Sequence, residues 1–319
     1  MTGQRDVVSI GETMLYFQGE DYGALRYVRR FEKFVGGTES NTMMSLAKLG
    51  FSTGWISRLG RDEFGCNIRD FIRGHGVDVS RVTFDDHAPT GVFFVEKNAN
   101  DETRSYYYRA GSAASRMEFS QLDLDYIASF KILLLTGITS VMSPSCRDLM
   151  LRLFPEAKAR GLSIALDPNL RLRLAGIEEF REALLPLVAQ ADYFLPSEQE
   201  LLLLTDCQNL DEAIDRCLGL GAEHLVIKKG AEGALLVKDG VKEFQPAFKV
   251  KRVVSSMAAG DAFNAGYLAG LLKGFSDRDC LRLANCLGAM CTMAWGPYEG
   301  IPDWEEVMAY FEGEGTIQR

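Results

Sequence analysis

The stretch 254–270, VSSMAAGDAFNAGYLAG, decides how this chain is read, because it sets a turn of small residues and one acid at the start of a helix. Ala258, Ala259 and Gly260 carry little side-chain bulk, so their backbone N–H groups can crowd around a ligand. Asp261 follows, and then Phe263, Tyr267, Leu268, Leu271 and Leu272 recur at helical spacing. Bare N–H groups at a helix start attract phosphate oxygens. A carboxylate beside them is placed to take a proton from a hydroxyl, and anion hole plus base is the minimum machinery for phosphoryl transfer to an alcohol. Taken alone, the same residues also make an ordinary helix cap, so the rest of the chain has to decide.

Working outward, short apolar runs alternate with amphipathic ones. Strand-like runs lie at 7–10, 54–56, 132–135, 163–166, 193–195, 225–227 and 234–237. Helix-like runs lie at 41–49, 64–73, 146–160, 180–189, 198–204 and 210–218. That alternation predicts an α/β fold with a mainly parallel sheet covered by helices on both faces, within one domain spanning 1–319. Two stretches, within 14–35 and 88–112, are rich in aromatic and β-branched residues and lack helical periodicity. The second reads as two strands joined by a turn at 98–101. The expectation is a small antiparallel sheet projecting from the body as a lid over a pocket.

Composition narrows the partners. The chain has 319 residues, 47% of them hydrophobic, and 44 acidic against 35 basic residues give a net charge of −9. No Lys/Arg block interrupts that balance, which argues against nucleic acid. No apolar run reaches the roughly 20 residues that span a bilayer, and the N-terminus runs straight into a strand-like segment without a signal peptide. Seven scattered cysteines without a C-x-x-C, and three distant histidines, fit reduced thiols and offer no metal or Ser-His-Asp site. A cytoplasmic protein is expected.

Polar residues gather just past several apolar strands: Gly11-Glu12, Asp167-Pro168-Asn169, Pro196-Ser197-Glu198 and Lys228-Lys229-Gly230. In open parallel sheets ligands bind beyond the carboxyl ends of the strands. Gly36-Gly37 leading to Asn41 allows close backbone approach to a polar ligand, or is a plain turn with a cap. Asp167 to Arg173 brings an acid, an amide and two guanidiniums to one strand end, and Tyr107-Tyr108-Arg109 adds a third cation beside aromatic rings. Lys229-Gly230 to Gly233 is either a tight hairpin or a surface for a base and ribose. P-loop and protein-kinase motifs are missing.

These elements, in this order and at this spacing, give a chain that resembles the ribokinase-like (PfkB) carbohydrate kinases over nearly its whole length. Within that family it is most similar to the 2-keto-3-deoxygluconate kinases, through Tyr107 to Ser115 and Asp167 to Arg173. The resemblance implies a three-layer ribokinase-like fold and ATP-dependent transfer to the primary hydroxyl of a sugar acid. It implies Asp261 as base, with Ala258, Ala259 and Gly260 as anion hole. Gly36, Gly37, Asn41, Tyr107, Arg109 and Arg171 would hold the sugar acid. Ser197, Lys229, Gly230, Gly233 and Asn285 would face ATP, and Glu200 would help to place Mg²⁺ through water. A homodimer or higher homo-oligomer through the lid is also implied. The pair Arg109 and Arg171 gives a physical reason to prefer an acid, since a neutral sugar would leave buried charges unpaired. Departures from the family pattern are Ser255 for Asp, which speaks against a monovalent cation, Ala258 for Gly, Ser197 for Asn and Phe93 for Tyr. The alternatives are a kinase for another sugar such as fructose, or a catalytically weakened sugar- or nucleotide-binding relative.

Overall fold

The computed structural model describes residues 4–98 and 103–313. In chain order its strands are β1 (Arg5–Ile10), β2 (Met14–Gly19), β3 (Phe31–Gly36), β4 (Thr53–Gly60), β5 (Val82–Asp85), β6 (Val92–Lys97) and β7 (Thr103–Tyr108). There follow β8 (Phe130–Thr136), β9 (Ser163–Asp167), β10 (Tyr193–Phe194), β11 (His224–Lys228), β12 (Gly233–Lys238) and β13 (Val241–Pro246). Nine of them form one sheet in the order β13-β12-β11-β10-β9-β8-β1-β4-β5. From β11 to β5 every neighbouring pair is parallel, while β12 and β13 turn back antiparallel at one edge.

Alternation along the strands builds a core on each face of this sheet. On β8, Leu133 and Leu135 face one core, while Ile132 and Leu134 face the other. Helices Pro144–Ala159, Ile177–Val188 and Leu210–Gly219 cover the first face. Helices Thr38–Lys48, Ala259–Leu272 and Asp277–Cys291 cover the second. These are the two faces a sheet of buried parallel strands must have covered. Six expected helices and seven expected strands recur with ends shifted by a few residues, whereas the short edge strand β5 and the outermost strand β13 carry too little apolar pattern to stand out. No helix among the described residues is long and apolar enough to cross a membrane.

A second sheet, order β3-β2-β6-β7, stands apart from the first. Its two outer pairs are antiparallel, as expected, but the central pair β2–β6 runs parallel, so the sheet is mixed. The reason is connectivity: β2 and β6 each leave the main body in the same direction, and each pairs on its far side with a returning strand. Of the turn expected at 98–101, residues 99–101 lie outside the described residues. Tyr16 stacks between Phe34 and Phe93, with ring centroids 4.9 and 4.8 Å away, whereas Leu15, Phe17, Val35 and Val92 on the other face pack onto the core of the main body.

Helix Ala259–Leu272 is buried along its length from Asp261 to Gly270. Such a helix has no polar stripe to face water, and it packs closely because its small residues allow it. A Cβ on Gly266 would lie 2.8 Å from the Ala284 Cα and the Leu283 carbonyl, and one on Gly270 would lie 2.9 Å from the Cys280 sulfur. Gly266→Ala is therefore expected to force the two helices apart and cost about 1–3 kcal/mol in urea unfolding. The helix begins at Ala258, which caps it in the left-handed region at φ 61° and ψ 7°. An L-residue there is strained by roughly 1–2 kcal/mol, partly offset in a comparison with glycine by the freer unfolded chain. Ala258→Gly is expected to stabilise the protein by up to about 1 kcal/mol, and a loss in the urea midpoint would contradict the strain.

Candidate active site

The turn 258–261 is the shared wall of two cavities. One, of about 220 Å³, is lined by Ala258 and Asp261 together with Gly36, Gly37, Asn41, Tyr107, Arg109 and Arg171. The other, of about 600 Å³, is lined by Ala259 and Gly260 together with Gly230, Gly233 and Asn285. Residues far apart in the chain thus meet around one helix start. The N–H groups of Ala258, Gly260 and Asp261 have no protein acceptor among the described residues, as the first turn of a helix dictates.

Asp261 sits in the first turn of its helix and is buried. Asn41 Nδ2 donates to its Oδ2 at 2.8 Å, from the helix that β3 and the Gly36-Gly37 turn lead into. Burial, with some help from the charge of Asp167, pushes the Asp261 carboxyl up to about 6, against the opposing pull of Asn41, Arg171 and Lys228. The helix start would by itself lower it, but desolvation wins. Asn41 keeps a buried carbonyl oxygen, Oδ1, without a partner. Asn41 lines the smaller cavity, and its orphaned oxygen is one of the groups there without a hydrogen-bond partner among the described residues.

Gly37 owes its identity to space: its backbone is extended, and a Cβ would lie 2.6 Å from the Glu12 carbonyl and the Thr13 hydroxyl. Tyr107 and Phe93 both line the smaller cavity, their ring centroids 5.2 Å apart across β6 and β7.

The two arginines differ from expectation. Arg109 is buried in an ion pair with Glu12, whose other oxygen accepts from Ser112 Oγ at 2.5 Å. Its charge is already answered inside the protein, although the guanidinium still lines the smaller cavity. Arg171 is exposed at the cavity edge and pairs with no carboxylate among the described residues.

Four of the residues assigned to ATP and metal also have other partners. Lys229 Nζ donates to Glu198 Oε2 at 2.5 Å and lies near Glu232, while its neighbour Lys228 lines the larger cavity. Consecutive residues of a strand point to opposite faces, and β11 ends with Lys228 pointing toward the site. Ser197 and Glu200 form a capping box at the start of helix Glu198–Thr205. Glu200 Oε2 accepts from the Ser197 N–H and hydroxyl at 2.8 Å, and Oε1 accepts from the Leu170 N–H at 2.8 Å. Neither residue lines either of these two cavities, and a carboxylate so engaged has little left for a hydrated ion. Asn285 lines the larger cavity while donating to the Gln245 carbonyl at 3.0 Å.

Sequence reasoning left several groups without a role. Lys228 reaches Asp167 Oδ2 at 3.0 Å, and Asn264 Nδ2 donates to the same oxygen at 2.6 Å. Glu39 is buried against Thr136 and Thr139 and lines the smaller cavity. Glu12, Asp167 and Lys228 stood in the polar steps after the strands, so a signal existed. Met257 and Pro297 of the smaller cavity carried none.

The chain matches the pfkB family of carbohydrate kinases over residues 4–304. It is 34% identical to a 2-dehydro-3-deoxygluconokinase of Bacillus subtilis over 98% of both chains. It is 35% identical to a 2-dehydro-3-deoxygluconokinase of Thermoproteus tenax over 94% of this chain and 92% of that one. Identity to fructokinase-2 of Oryza sativa is 31%, over 93% of this chain and 90% of that one. An Escherichia coli structure in complex with ATP and Mg²⁺ superposes with a TM-score of 0.89 at 25% identity, covering 98% of this chain and all of that one. A helix start walled by two cavities, the ribokinase-like order of strands and these similarities converge: the chain belongs to the pfkB family of carbohydrate kinases.

Proposed function

We propose that this kinase transfers the γ-phosphoryl group of ATP to the primary hydroxyl of 2-keto-3-deoxygluconate. The observation that carries the reading is the turn 258–261 standing between two cavities, with its acid on one side and its glycine on the other. The smaller cavity suits a sugar: it offers the unpartnered Asn41 oxygen, the aromatic pair Phe93 and Tyr107, and Arg171 at its edge. The larger suits a nucleotide. Phe248, Val250, Val253 and Phe263 give an apolar surface for a base, and Gly230, Gly233 and Gly288 let it lie close to the backbone.

Asp261 would accept the proton of the attacking hydroxyl as its oxygen bonds to phosphorus and the bond to ADP breaks. The N–H groups of Ala258, Gly260 and Asp261, left open by the helix start, would hold the charge on the transferred phosphoryl oxygens, whereas the Ala259 N–H first assigned there donates to the Ser256 carbonyl at 3.3 Å. A loose transition state asks little of a base, so positioning by Asn41 matters more than basicity. Lys228, on the nucleotide side, takes the role first assigned to Lys229. Mg²⁺ would arrive with the phosphates and neutralise their charge. The residues present build no cage for it, since no cluster of three or more metal-ligating side chains occurs among those described. Ser255 Oγ accepts the Met257 N–H, a neutral local bond that gives a monovalent cation no charge to bind.

The mixed sheet would act as a lid, because Tyr107, Phe93 and Ser105 on it line the sugar cavity. Its far side, with Tyr108 exposed, supports pairing of two lids in a homodimer. The seven free cysteines fit a cytoplasmic location. A second reading, a kinase for a neutral ketose such as fructose, is favoured by one observation: Glu12 already neutralises Arg109, leaving Arg171 as the open cation at the cavity.

ADP release in the presence of ATP and Mg²⁺ separates these readings. Turnover is expected with 2-keto-3-deoxygluconate and not with fructose, ribose or a sugar-free blank. In Asp261→Asn it should fall by about 10²–10⁴-fold. Because the base works ionised, kcat/KM should drop about tenfold per pH unit once pH falls below about 6. A rate that stays flat to pH 4.5 would remove Asp261 from that role. Arg171→Ala is expected to raise KM for the sugar acid by roughly tenfold or more while sparing KM for ATP. Equal losses on both substrates would show that Arg171 does not recognise the acid.

A further inference from the structure

We propose that Glu39 meets the substrate as a neutral acid, donating a hydrogen bond into the sugar cavity, and that by giving up its charge it admits an anionic sugar beside Asp261. The inference rests on the sugar-acid reading of that cavity. Its basis is the way Glu39 is seated. The residue is 1% exposed, and its Oε1 accepts from Thr136 Oγ1 at 2.6 Å and from Thr139 Oγ1 at 3.3 Å. Both donors are neutral, and no Lys, Arg or His pairs with the carboxyl among the described residues. A Cβ on Gly11 would lie 2.2 Å from the carboxyl carbon, so the end of β1 closes over it with no room for a counter-ion.

Glu12, lining the same cavity, is the contrast. It is equally buried but holds Arg109 and the Ser112 hydroxyl. A guanidinium offsets the cost of burying a carboxylate, whereas Glu39 has only two hydroxyls and its own backbone N–H, and burial then favours the protonated form.

The charged groups around Glu39 come from every element that packs there. Glu12 follows β1 and Arg109 follows β7, and they pair with each other. Asp167 at the end of β9 and Lys228 at the end of β11 pair likewise. The helix 259–272 brings Asp261, and the loop after β9 brings Arg171; Thr136 and Thr139 supply no charge. What remains is two carboxylates, Glu39 and Asp261, facing one guanidinium. A substrate carboxylate would add a third negative charge to that group. Protonation of Glu39 removes one and turns an acceptor into a donor.

The start of helix Thr38–Lys48 favours the ionised form, but burial and the Asp261 charge oppose it and prevail, pushing the Glu39 carboxyl up to about 7. An incoming anion pushes it further, so binding draws a proton from solvent.

Titration calorimetry of the full chain with 2-keto-3-deoxygluconate, without ATP, in buffers of different ionisation enthalpy, reads that proton. At pH 7 the wild type is expected to take up roughly half a proton on binding. Glu39→Gln, which imitates the neutral acid, takes up none. Above pH 7 the wild-type dissociation constant rises toward about tenfold per pH unit, whereas that of Glu39→Gln stays flat. Binding without uptake in the wild type, or uptake undiminished in Glu39→Gln, overturns the role of Glu39 alone. Fructose binding with no heat from the sugar acid at any pH overturns the sugar-acid reading, and the proposal with it. The wild-type series stands even if a variant fails to fold.

Discussion

A helix cannot bond its own first N–H groups, and this structure turns that constraint into its working surface. The N–H groups of Ala258, Gly260 and Asp261 are left open at the start of a helix buried between other elements. A helix of Ala and Gly can be buried so deeply only if its neighbours approach to backbone distance, which Gly266 and Gly270 permit. The sheet then has to end its strands around that point, and the polar residues following β1, β9 and β11 do so. Ala258, in the left-handed region, is the one place where the turn carries strain that glycine would not.

Charge management in the interior is the second organising fact. Arg109 with Glu12 and Lys228 with Asp167 are pairs that join strand ends distant in the chain. Removing one partner of such a pair would cost more than the pair contributes, because the other charge stays buried. These pairs set what the cavities can offer. They answer the charge of Arg109, leave Arg171 open, and set Lys228 on the wall of the larger cavity. Asn41 performs a neutral version of the same task, orienting Asp261 through one amide hydrogen while its oxygen stays buried without a partner among the described residues.

Much of this was legible from the residues. Continuous apolar runs separated by amphipathic ones announced a parallel sheet, and the hairpin at 230–233 was visible as glycines between two such runs. The three motifs around Gly37, Gly233 and Asp261 do meet at the two cavities. What the sequence withheld was partnership. Nothing local says that Glu12 and not a ligand answers Arg109, or that Ser197 and Glu200 spend their oxygens on a helix cap. Choosing between Lys228 and Lys229 depends on strand parity, which needs the strand end fixed to a single residue. The parallel β2–β6 pair depends on where both strands leave the body, a three-dimensional fact.

The central claim is that phosphoryl transfer occurs across the turn 258–261, with sugar on one side and nucleotide on the other. A crystal structure with 2-keto-3-deoxygluconate and a non-hydrolysable ATP analogue tests it directly. The account predicts the terminal phosphate on the open N–H groups of Ala258, Gly260 and Asp261 and the sugar's primary hydroxyl within hydrogen-bond reach of the Asp261 carboxylate. Phosphates held elsewhere, or a sugar bound with its primary hydroxyl turned away from Asp261, would contradict it.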